Sequence, residues 1–105
     1  MRMLTFIETK LFTRLADEYL GEAGLLALQV HLLAQPEIGK VIPGSGGVRK
    51  LRWAMPGRGK RGSLRMIYFL RTKQAEIWLL TLYAKNASGN ISASTLKKIK
   101  ASIDG

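Results

Sequence analysis

Leu64-Arg65-Met66-Ile67-Tyr68-Phe69-Leu70 and Ile77-Trp78-Leu79-Leu80-Thr81-Leu82-Tyr83 are two runs rich in aliphatic and aromatic side chains, parted by a polar stretch that begins Arg71-Thr72-Lys73-Gln74. Each is too short for a typical helix and too evenly apolar for a strand with one wet face. They therefore read as central strands buried on both sides and joined as a hairpin. Upstream, Val48 to Ala54 alternates, with Lys50 and Arg52 on one face and Leu51 and Trp53 on the other, so a third strand joins the pair. Before Pro43-Gly44-Ser45-Gly46-Gly47 the period changes from two to that of a helix. Phe12, Leu15 and Tyr19 share one spacing, and Leu25, Leu28 and Leu32 repeat it after Gly21, until Pro36 stops the pattern shortly after Ala34. This predicts an antiparallel helical hairpin, preceded by a strand over Met3 to Ile7. At the other end Leu96, Ile99 and Ile103 predict a short amphipathic helix, capped by Ser92 or Ser94 and exposing Lys97, Lys98 and Lys100. The expected architecture is a single α+β domain over residues 1–105: an N-terminal strand and helical hairpin packed on a small, mainly antiparallel sheet, with a short C-terminal helix.

A length of 105 residues leaves no room for a separate cofactor module, while 47% hydrophobic residues suffice for a real core. The absence of cysteine excludes a disulfide scaffold, a thiolate nucleophile and cysteine-ligated zinc, and a single histidine argues against a protein-only metal centre or a His-dependent triad. No metal and no cofactor are expected. Charge is distributed unevenly. Residues 1–47 hold four basic and five acidic side chains, net −1, whereas residues 48–105 hold thirteen against two, net +11. Seven of those cations fall between Arg49 and Arg65 with no carboxylate among them. A folded surface normally mixes signs because like charges repel, so a one-signed block points to a polyanionic partner. No stretch is long enough to cross a bilayer, and Glu8 and Lys10 interrupt the apolar N-terminus; a cytoplasmic location is expected.

Gly57-Arg58-Gly59-Lys60-Arg61-Gly62 fits the dinucleotide fingerprint letter for letter, but a strand rather than a helix follows and no acidic residue stands at the required distance. It reads instead as a loop whose glycines allow backbone to approach a phosphate chain while Arg58, Lys60 and Arg61 supply charge. The run from Arg61 to Tyr68 lacks the internal stacking aromatics of an RNP1 string, which argues against an RRM. Arg65 is conspicuous inside an apolar strand. Either it pairs with Glu76 across the hairpin, or it faces a concave anion site where a guanidinium grips phosphate bidentately. Tyr83 either stacks a base or caps the core. Trp53 and Trp78 are expected in the core, and His31 in the core or facing a partner.

Three segments taken together resemble the RelE superfamily, closest to its HigB-like branch: Ile42 through Arg52, Gly57 through Tyr68, and Leu79-Leu80-Thr81-Leu82-Tyr83-Ala84-Lys85-Asn86. The resemblance covers nearly the whole chain. It implies a compact α+β toxin of a type II toxin–antitoxin system, an endoribonuclease that cleaves mRNA in the ribosomal A site and is neutralised by a cognate antitoxin. Arg65 matches the family's strand arginine that contacts the scissile phosphate. Arg58, Lys60 and Arg61 fall in the loop from which the family draws catalytic cations, Lys85 matches a basic position after the last strand, and Tyr83 belongs to a HigB-like Tyr-x-Lys-Asn ending. The C-terminal tyrosine that RelE uses has no counterpart, Ser92 standing near that point, and the histidines of another HigB branch are missing.

RNA carries its own nucleophile, the 2′-hydroxyl, so cleavage requires in-line geometry, a proton acceptor, a proton donor and positive charge on the phosphate. Lys60, flanked by Arg58 and Arg61, has its protonated form disfavoured by like charge and is the candidate base. Arg65 is the candidate phosphate clamp, with Arg61 or Lys85 assisting the leaving oxygen. Lys50, Arg52, Arg58, Tyr83, Lys97 and Lys98 are the candidate RNA contacts, and ribosome, mRNA and antitoxin the expected partners. The competing expectations are a non-catalytic basic module that holds nucleic acid by its phosphates, and an inactive relative that binds only its antitoxin.

Overall fold

The computed structural model of the protein describes residues 3–54, 63–84 and 92–104. Its elements run β1 (Thr5–Glu8), α1 (Lys10–Tyr19), α2 (Gly21–Ala34), β2 (Lys40–Val41), β3 (Arg49–Ala54), β4 (Ser63–Arg71), a 3₁₀ turn over Thr72–Gln74, β5 (Glu76–Ala84) and α3 (Ala93–Asp104). The five strands form one sheet in the order β1-β5-β4-β3-β2. All neighbours are antiparallel except β1, which pairs in parallel with β5. The α+β architecture expected from the sequence is thus present. Two details differ. The first strand begins at Thr5 rather than Met3, and the two-residue edge strand β2 was not foreseen, since two residues carry no period to read.

α1 starts at Thr9, whose Oγ1 accepts the Phe12 amide at 3.0 Å and donates to the Leu80 carbonyl at 2.7 Å, so one hydroxyl caps the helix and ties it to β5. Leu20 alone separates α1 from α2, and Gly21 accomplishes the reversal at φ +69°, a left-handed conformation that a side chain would strain. The two sheet faces then bury different layers. On one, Phe12, Ala16, Leu28 and Leu32 of the helical hairpin pack on Leu51, Met66, Tyr68 and Leu79. On the other, Leu96 of α3 packs on Ile67, Phe69 and Leu80, with Ile99 and Ile103 alongside. Ser92 is the residue that caps α3, accepting the Thr95 amide at 3.2 Å, while Ser94 lies within the helix. Lys97 and Lys98 are exposed as expected, but Lys100 is half-buried, its ammonium 5.0 Å from the Phe69 ring centroid.

Tyr68 is fully buried and links this core to the chain leading into β2. Its hydroxyl donates to the Pro36 carbonyl and accepts from the Gly39 amide, both at 2.8 Å. Arg49 completes the anchor, donating to the carbonyls of Gly39 at 2.7 Å and Glu37 at 3.0 Å. Gly39 has no alternative here, because a Cβ would sit 2.7 Å from the Tyr68 ring. Burial pushes the Tyr68 phenol above its ordinary value of 10.0, against the pull of the Gly39 hydrogen bond and the Arg49 charge. A raised folded value means the fold favours the neutral phenol. That contribution is complete below pH 10 and is lost as pH rises through the folded value. Melting temperature should accordingly fall more steeply above about pH 10 in the native protein than in Tyr68→Phe. Parallel alkaline slopes in calorimetry would show that Tyr68 does not titrate with unfolding.

Candidate nucleic-acid interface

Among the described residues, α3 covers only part of its sheet face. Beyond the helix, the register aligns Arg52 of β3, Arg65 of β4 and Tyr83 of β5 on one rung. The same face carries a second rung two residues along β3, where Lys50 stands opposite both Lys40 of β2 and Ile67 of β4. Side chains directly opposite in a sheet lie within interaction range, and like charges there are destabilising. Two successive rungs nevertheless pair cation with cation. They line an open cleft of about 660 Å³ together with Ile38, and among the described residues none of its lining side chains is acidic.

Within the cleft Arg65 differs from its neighbours. Lys40, Lys50 and Arg52 are exposed, whereas Arg65 is half-buried and its Nη1 is shielded from solvent without a hydrogen-bond partner among the described residues. A buried, unsatisfied guanidinium nitrogen is costly, and an anion entering the cleft would satisfy it. Of the two roles read from the sequence for Arg65, the pairing with Glu76 is excluded. Glu76 sits at the far end of the hairpin, where it meets Arg71 at 3.4 Å and accepts from the Trp78 indole at 3.1 Å. The reason is register: an antiparallel hairpin pairs Arg71 with Glu76 at its turn, which leaves Arg65 opposite Tyr83.

Tyr83 is half-buried, packing partly against the α3 layer and partly lining the cleft, so both of its anticipated roles are compatible with its position. Trp53 and Trp78 are half-buried rather than fully enclosed, and the His31 ring lies 5.3 Å from that of Trp53, tilted by 59°. Lys97 and Lys98 project from α3 and do not line the cleft. Arg58, Lys60, Arg61 and Lys85 lie outside the described residues. Lys40 and Ile38 escaped the sequence reading. The only available signal was the lysine itself, on a strand too short to be recognised.

A second cleft, of about 610 Å³ and mainly apolar, lies on the other side of Ile38 and includes Leu4, Leu33 and Leu70. No described helix is long and apolar enough to cross a membrane.

Comparison with known proteins bears on the fold and the family. The structure is similar to that of Escherichia coli toxin RelE, solved in the free state as a mutant with two arginine-to-alanine substitutions; the TM-score is 0.62 at 13% identity, covering 92% of this chain and 96% of that one. At that identity the likeness concerns the fold. Residues 7–103 match the family described as the RelE toxin of the RelE/RelB toxin–antitoxin system. A match across so much of the chain is decisive: the protein belongs to the RelE family of toxins of toxin–antitoxin systems.

Proposed function

We propose that the protein is a ribosome-dependent endoribonuclease that cleaves mRNA in the A site, acts in the cytoplasm and is held in check by a cognate antitoxin. The observation that carries this reading is the cleft itself: two cation–cation rungs on one sheet face, one of them containing a buried Arg65 nitrogen with no partner among the described residues. Such an arrangement opposes folding and gains only when a polyanion is bound. Arg65 grips the scissile phosphate, Arg52 and Lys50 hold the flanking chain, and Tyr83 stacks a base beside it.

The cleavage step forms a bond from the ribose 2′-oxygen to phosphorus and breaks the bond from phosphorus to the 5′-oxygen. It leaves a 2′,3′-cyclic phosphate, which water can then open to a 3′-phosphate, and a 5′-hydroxyl. Lys60 is the proposed base, and Arg61 or Lys85 the group that assists the leaving oxygen. Ala54, Ser63 and Ala84, the described residues nearest these segments, lie in or next to the rung adjacent to Arg52, Arg65 and Tyr83, which favours the assignment. Lys97 and Lys98 contact ribosomal RNA as simple phosphate ligands. The kinship with the HigB-like branch rests on Tyr83-Ala84-Lys85-Asn86.

Primer extension on mRNA bound to programmed ribosomes, beside the same RNA free in solution, tests the reading. Cuts confined to the A-site codon, with 5′-hydroxyl downstream ends, are expected. Products with 5′-phosphates would overturn the mechanism. Salt-sensitive binding with no cut on either template would replace the enzyme by a binding module.

A further inference from the structure

We propose that Lys40 and Lys50 form a second phosphate subsite, holding the phosphate next to the one gripped by Arg65, and that the buried Tyr68 anchor positions it; this rests on the nuclease reading above. Three observations converge. Lys40 and Lys50 are opposite each other in the β2–β3 register and both line the cleft, so the rung is a two-pronged cation rather than two unrelated surface lysines. It stands two residues along β3 from the Arg52–Arg65 rung, about 6.8 Å by strand rise. That is of the order of the separation between consecutive phosphates in an extended single strand. The rung is also held in place: the residue before Lys40 is Gly39, fixed by Tyr68 from one side and Arg49 from the other. A lysine ending a loose strap would relax away from its like-charged neighbour; this one is pinned opposite it.

The subsite has a consequence for the substrate. A single phosphate, or a nucleotide with one, engages Arg65 alone. Two phosphates in register engage both rungs, so the cleft selects a polynucleotide and fixes the line along which it crosses the sheet. Tyr68 touches neither phosphate and acts as a positioning residue.

Single-turnover cleavage on programmed ribosomes tests this with Lys40→Gln and Lys50→Gln, and with mRNA in which one phosphate beside the cleaved bond is a neutral methylphosphonate. Each lysine variant is expected to raise the half-saturating enzyme concentration about fivefold to tenfold, with the loss falling chiefly there rather than on the saturating rate. Each should also reduce the slope of log affinity against log salt by about 0.7. Methylphosphonate at one neighbouring position should weaken the native protein, weaken Lys40→Gln less, and add no further loss when Lys40→Gln and Lys50→Gln are combined. Because the substitution relieves a like-charge pair, Lys40→Gln should melt no lower than the native protein. Tyr68→Phe should weaken binding in the same direction, and additional loss from Lys40→Gln should be smaller in that background. If native protein cuts but Lys40→Gln and Lys50→Gln titrate identically to it, the subsite is wrong and the nuclease reading stands. If native protein neither cuts nor binds RNA, both fall.

Discussion

Arg65→Ala is expected to lower the single-turnover rate of mRNA cleavage on programmed ribosomes by about 10²- to 10³-fold, the range found when one pre-organised donor to a developing anion is removed. Arg65 sits on β4, the middle strand of the sheet, half-buried between Arg52 and Tyr83. Its guanidinium cannot swing away as an exposed arginine would, and its Nη1 has no described partner to give up when phosphate arrives. Pre-organisation of this kind acts more on a transition state than on a bound ground state. Binding to the ribosome should consequently fall far less than the rate. Stability is the control. Arg65 makes no described ion pair and faces a like charge, so the variant should melt within a few degrees of the native protein. A rate loss below tenfold, matched by an equal loss of binding, would reduce Arg65 to one salt-dependent contact and remove it from the chemistry.

The largest effect on stability is expected at Tyr68. Tyr68→Ala should cost about 4–6 kcal/mol, combining the cavity left by a large buried ring with the stranding of the Gly39 amide and the Pro36 carbonyl. A small domain has only about 5–15 kcal/mol in total, so this variant approaches complete unfolding. Tyr68→Phe separates the two causes. It keeps the ring on Met66 and Leu79 and removes only the hydroxyl, for a loss of about 1–3 kcal/mol. Urea denaturation of the two variants measures both. Equal stability of Tyr68→Phe and the native protein would mean that the hydroxyl does not anchor the strap, and the support offered for Lys40 would go with it.

Tyr68 also marks the boundary of what a linear reading can reach. In the sequence it is one more aromatic in an apolar run, and nothing distinguishes it from Phe69. The groups its hydroxyl bonds to, in the α2–β2 connection, are about thirty residues away along the chain. Lys40 was concealed for another reason, since its two-residue strand carries no period to read. By contrast, the two central strands, the helical hairpin and α3 were legible because each is governed by local periodicity, and burial of one face enforces that period.

The charge block behaves in both ways. Read linearly, the chain shows that the basic residues cluster, that they alternate with apolar ones along β3, and that one arginine interrupts an apolar strand. Those facts pointed to a polyanionic partner, and the resemblance of the glycine-rich and strand segments to the RelE superfamily pointed to the family that residues 7–103 match. Which cations share a surface follows from strand pairing in the folded chain. Register assigned Glu76 to Arg71 and left Arg65 facing Tyr83, and it brought Lys40 to Lys50 across nine intervening positions. The physical reason is that side-chain direction in a strand follows from local geometry, whereas the identity of its neighbour depends on pairing between distant segments, which is settled only when the core closes around it.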